Sequence, residues 1–216
     1  FRGLVNGWFG KLSEATPDFE QGLYVCEQSG DVFRRYLTMG WRGEACLVAG
    51  EIVAARNNLE QCLELGAKLG TSFHRGAFEA FLAKALLAQG ETETAMRLGE
   101  AAVITATESG ETWPRSIALR VATEVQIASQ TPDIALAQSS IASAIEIQTE
   151  RQCKCDLAWS HLVEGHVHAA RGAHADAVKA YQVAQGMFEA LEIERGIELS
   201  KTALISLKNV KAGASQ

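Results

Sequence analysis

Three prolines in 216 residues leave few places where a helix must break, since proline removes a backbone donor and clashes with the preceding turn. Aromatic side chains are sparse at 7% although 47% of the residues are hydrophobic. A core filled by Ala, Leu and Val suits close-packed helices, and no stretch alternates as a half-buried strand does. No apolar run approaches the ~20 residues needed to cross a bilayer, and the opening, residues 1–10, lacks a basic lead and a cleavage-like end. A soluble, cytoplasmic segment without a membrane partner is therefore expected. Clustered Lys and Arg are missing too, and the formal charge is −6. That argues against nucleic acid as a partner, because binding the phosphate backbone needs clustered basic groups.

Chemistry-bearing patterns are equally scarce. There is no glycine-rich phosphate loop after a strand, no nucleophile elbow and no carboxylate pair framed by a cleft. The segment reads as non-catalytic, with no cofactor and no metal. The five cysteines, Cys26, Cys46, Cys62, Cys153 and Cys155, are odd in number and irregularly spaced, as reduced thiols serving as small hydrophobes are. Cys153-Lys154-Cys155, followed by His161, His166 and His168, is the one cluster with reactive character, since Lys154 favours thiolates. Its spacing matches no common zinc pattern, and on a helix His161 and His166 point about 140° apart. A metal- or small-molecule-responsive site built on it is a remote alternative.

What the chain does have is a forty-residue echo. Gly10, Gly50 and Gly90 stand forty apart, and the register continues at Gln130 and, after a two-residue slip, at Gly172. Five residues after each lies an alanine: Ala15, Ala55, Ala95, Ala135 and Ala177. Twelve after lies another small residue: Gly22, Cys62, Ala102, Ala142 and Ala184. Seven before lie Gly3, Gly43, Ala83, Thr123 and Gly165. Small columns in step with a turn let two helices approach closely, so each unit reads as helix, tight turn, helix.

The predicted units are about 1–30, 31–70, 71–110, 111–150 and 151–192, with a capping helix over 197–210 and a polar tail from Gly213. Unit two places helices at Val32–Ala49 and Ile52–Leu69; unit three at Arg75–Gln89 and Glu93–Ser109. Gly30, Gly70 and Gly110 stop the second helices, and three residues later Phe33, Phe73, Trp113 and Cys153 are expected to plug the seams. In unit four, Thr131 is placed as the cap and Pro132 as the opening residue of the second helix. Phe1, without a Met and already inside a repeat, reads as part of a longer chain.

The columns resemble the tetratricopeptide repeat over nearly the whole chain. Tyr181 fits that family's aromatic place, nine residues after the turn, whereas Leu59, Gly99 and Ser139 depart from it, and the period is forty rather than thirty-four. Ser29-Gly30-Asp31, Gly40-Trp41-Arg42-Gly43-Glu44-Ala45, the run from Phe81 to Glu91 and Met187-Phe188-Glu189-Ala190-Leu191 resemble the carboxy-terminal arrays of bacterial signalling ATPases. Those include multidomain adenylate or guanylate cyclases and LuxR-type activators. The resemblance implies an all-α, right-handed α-solenoid of helix-turn-helix repeats that acts as a sensing or regulatory module.

In such an array the first helix of each unit lines the inner curve. Positions thirteen, ten, six, three and two before the turn then face a partner. The candidates are Leu37, Glu44 and Leu47 in unit two, Lys84 and Leu87 in unit three, Arg120, Glu124 and Ile127 in unit four, and Trp159, Leu162 and His166 in unit five. The expected partner is a protein, peptide or helix, or the chain's own upstream domains, laid in a largely apolar groove with a charged stripe at Glu44, Lys84, Glu124 and His166. A row of solvated or mutually paired charges is the competing reading of that stripe. A free-standing adaptor that scaffolds two proteins is the alternative function.

Overall fold

The computed structural model describes residues 2–213, and 214–216 of the expected tail lie outside them. Eleven α-helices and no strand are found among the described residues: α1 Arg2–Trp8, α2 Leu12–Ser29, α3 Val32–Ala49, α4 Ile52–Leu69, α5 Arg75–Ala88, α6 Thr92–Glu108, α7 Thr112–Ile127, α8 Ile134–Glu150, α9 Lys154–Ala170, α10 His174–Ala190 and α11 Glu194–Gly213. The capping helix is thus longer at both ends than the sequence suggests.

Every turn between helices except that between α7 and α8 contains a left-handed residue. At Gly30, with φ of 69°, the amide bonds back to Glu27 and that of Asp31 to Cys26. The equivalent positions at the ends of α8 and α10 are Gln152 and Glu192, which hold φ of 55° and 56° without being glycine. That conformation costs an L-residue roughly 1–2 kcal/mol. Asp31 starts α3 by accepting from the Arg34 amide at 2.9 Å.

The pairs are antiparallel, as the contacts show. Near the start of α3, Tyr36 lies against Gly66 near the end of α4, and further along α3 Gly43 lies against Leu59. A methyl on Gly43 would sit 2.5 Å from Leu59 Cγ. Gly165 of α9 is covered in the same way by the Tyr181 ring of α10. The small column seven before the turn is therefore the seat of the side chain nine after it.

That rule exposes an error of register in unit four. Ala135 and Ala142 are exposed, whereas Ala137, Ile141 and Ala144 are buried. The two-residue slip sits in the turn between α7 and α8, residues 128–133, which is longer than its counterparts. Asp133, not Thr131, caps α8, accepting from the Leu136 amide at 3.0 Å, and Ile134, not Pro132, opens the helix. Once the turn is counted from residue 132, the place nine residues on reads Phe19, Leu59, Gly99, Ile141 and Tyr181, all buried.

The odd-numbered helices pack on one another in succession, α1 on α3, then α5, α7, α9 and α11, while each even-numbered helix packs against the odd-numbered helices on either side of it. The seams are less sealed than expected: Phe33 and Phe73 stack at 5.9 Å but stay half-exposed. Between α7, α8 and α9 the joint is polar. Buried Gln148 donates to Ser116 Oγ at 3.3 Å and accepts from Ser160 Oγ at 2.6 Å. No helix among the described residues is long and apolar enough to cross a membrane.

Candidate functional site

Helices early in the chain meet helices late in it. Val48 of α3 packs in the same apolar cluster as Cys155 and Trp159 of α9, and Gly50 lies beside Arg195 of α11. Five helices, α1, α3, α5, α7 and α9, send side chains to one small cavity of about 40 Å³. That is room for only a few waters. Its lining joins Glu44, Leu47, Lys84, Arg120 and Trp159 of the predicted residues to Trp8, Val48, Phe81, Cys155 and Asp156.

The charges there are held by specific partners. The Trp8 indole N–H donates to Glu44 Oε2 at 3.0 Å, and that of Trp113 to Asp156 Oδ2 at 2.9 Å. Lys84 Nζ donates to Glu124 Oε2 at 3.0 Å and lies 5.3 Å from the centre of the Trp159 ring, within cation–π range. Arg120 is 4% exposed. Glu44, Glu124 and Asp156 all feel its charge, yet among the described residues it makes no ion pair within 4.0 Å and its Nε has no hydrogen-bond partner.

Burial and the neighbouring Asp156 push the Glu44 carboxyl up to about 8, against the Trp8 hydrogen bond and Arg120. Burial also raises Asp156, opposed by Arg120 and Trp113. Glu124 goes the other way: burial pushes it up, but Lys84 and Arg120 together hold it below the ordinary carboxylate range. Burial keeps His166 low despite Glu124, so its imidazole is neutral at pH 7. Within the stripe Lys84 and Glu124 pair directly, whereas Glu44 is held by Trp8 and His166 lies against the Tyr181 ring at 5.4 Å.

The other predicted residues fall outside the cavity. Leu162 is buried in the core between α9 and α10, so it offers no free surface. Leu87 and Ile127 are partly buried and pack on neighbouring core clusters. Leu37 instead lines a separate hollow of about 770 Å³ between α1, α2 and α3, with Leu4, Phe19, Val25 and Trp41. Two of the residues missed were within reach of sequence reasoning. Trp8 occupies the position two before the turn in unit one, which is an inner-face position of the repeat. Asp156 lies three residues before Trp159, one helical turn beyond the rule's range.

Cys153 and Cys155 are free thiols. Burial and Asp156 raise both, Cys155 to about 11, so they are protonated at pH 7, contrary to the thiolate character read from Lys154. His161 Nδ1 lies 2.9 Å from Glu164. Among the described residues, no three His, Cys, Asp or Glu side chains gather as a metal site.

No protein-family model matches the chain, and no curated protein matches it significantly. Among solved structures it is similar to the crystal structure of BtubC (BKLC) from P. vanneervenii. That likeness has a TM-score of 0.58 and 11% identity, covering 94% of this chain and 90% of that one. It shows a shared fold alone.

Proposed function

We propose that this chain is a protein-interaction and regulatory module without catalytic activity of its own, a right-handed α-solenoid of long tetratricopeptide-like repeats whose inner face recognises a helix or peptide. The observation that carries this reading is the concentration of charge and indole on one face. Glu44, Lys84, Arg120, Asp156, Trp8 and Trp159 come from five different helices to a single place. Filling such a place with apolar side chains would stabilise a scaffold at least as well. Charge retained at that cost fits a surface that exchanges partners. The resemblance of its sequence phrases to the arrays of bacterial signalling ATPases favours a role as the sensing part of a larger cytoplasmic signalling protein, with the chain's own upstream domains among its partners.

In the structure the inner face is occupied by its own side chains, so a partner must replace those contacts. The test is capture from the source cells, followed by titration of a peptide of the captured segment, read by Trp fluorescence. Trp159→Ala with Glu124→Lys is expected to abolish binding while circular dichroism shows a folded array. Ile104→Asp on α6, where Ile104 is exposed, is expected to leave it unchanged. Equal binding by all three would place recognition elsewhere.

A further inference from the structure

A partner cannot enter a 40 Å³ cavity, so the inner face must have a closed and an open form if it is the recognition surface. The contacts that close it are few. α1 and α3 meet α9 across the cavity through Trp8, Glu44 and Val48 on one side and Cys155, Asp156 and Trp159 on the other. Arg120 of α7 lines the same cavity as the two carboxylates and acts on both with its charge, while it is buried and among the described residues has no ion-pair partner within 4.0 Å.

We propose that this Arg120-centred cluster is a clasp that holds the ends of the array together, and that loss of the Glu44 proton releases it and uncovers the inner face. The proposal rests on the inner face being the recognition surface and adds how access to it is controlled. With Glu44 protonated, Arg120 faces one carboxylate, Asp156, across the gap. With Glu44 ionised, two carboxylates compete for one guanidinium, and the buried Glu44 sits where uncompensated charge is costly.

The groups facing Glu44 set the direction. Trp8 of α1 donates to it, Lys84 of α5 is engaged by Glu124, Arg120 of α7 attracts it, and Asp156 of α9 repels it. Closed, Glu44 holds its proton up to about 8; open to water, a glutamate ionises near 4.3. The closed form therefore binds the extra proton, and its advantage falls as pH rises from about 5 to 8. His166, held low, titrates on the acidic side, as does Glu124. Between pH 7 and 8.5 the opening equilibrium is expected to shift by roughly tenfold.

Cys155 is a natural reporter, because its thiol lines the cavity. In a Cys153→Ser background, maleimide labelling of Cys155 is followed by mass spectrometry at pH 7 and 8.5, for the parent and for Glu44→Gln. The rate ratio of parent to Glu44→Gln removes the general gain of thiolate with pH. It is expected to rise about tenfold over this range. A carboxylate ionising inside a closed cavity would repel the thiolate and lower the ratio, so a flat or falling ratio overturns the proposal. Arg120→Met, folded by circular dichroism, is expected to label at least tenfold faster than the parent at pH 7, and labelling as slow as the parent's would also overturn it. The Glu44→Gln comparison decides the matter even if Arg120→Met does not fold. Labelling involves no partner, so its result is independent of whether the inner face binds one.

Discussion

At the scale of single residues, the helix pairs are set by what is small. Gly43→Ala forces a methyl against Leu59, and Gly165→Ala forces one into the Tyr181 ring. Each is expected to cost about 1–3 kcal/mol in urea unfolding, the range for overpacking a filled core. Gly186, where an added methyl would meet nothing within 4 Å, serves as the control. There, alanine is expected to be neutral or stabilising by up to about 1 kcal/mol, because Gly is a poor helix former. Glu44 carries a pH signature. Its folded carboxyl titrates near 8, above the unfolded value of about 4.3. Its contribution is therefore fully present below the unfolded value and is lost as pH rises through 8. Glu44→Gln is expected to remove that slope, so that the variant becomes the more stable form above pH 8, by an amount on the order of a few kcal/mol. Denaturant midpoints at pH 6, 7.5 and 9 would show parallel curves instead if Glu44 were solvated.

At the scale of elements, the α7–α8 turn shows both the reach and the limit of sequence reasoning. The helices, their stops and the small columns were legible because they follow local periodicity, and α3 and α4 have the expected bounds. Unit four misled because Gln130, Ala135 and Ala142 continue the forty-residue register in letters while Ala137, Ile141 and Ala144 continue it in space. Deleting Gln130 and Thr131 from this turn is expected to keep the fold, with a cost of a few tenths of a kcal/mol, since loop length enters closure only logarithmically. Loss of cooperative melting in that deletion would mean that the insertion is needed for the α7–α8 joint. The same joint depends on Gln148. Gln148→Ala leaves the Ser160 hydroxyl without its acceptor, and a loss of about 1–3 kcal/mol is expected, with faster amide exchange confined to α7–α9.

At the scale of the whole molecule, the decisive feature is that α1 and α3 meet α9, more than one hundred residues away along the chain. No column predicts this. Curvature is the sum of small rotations between units, so which inner residues converge is decided by the array and not by any one repeat. Of the eleven residues placed on the inner face, five, Glu44, Leu47, Lys84, Arg120 and Trp159, line one place. Their pairing, and the part played by Trp8 and Asp156, depended on a closure that periodicity does not encode. The most direct measurement is a double-mutant cycle between Val48→Ala on α3 and Trp159→Ala on α9, by urea unfolding at pH 6, where Glu44 holds its proton and the clasp is closed. If the ends meet through these side chains, the two substitutions will be coupled by about 0.5–3 kcal/mol, whereas effects that simply add, within about 0.5 kcal/mol, would show that α3 and α9 do not meet across the inner face.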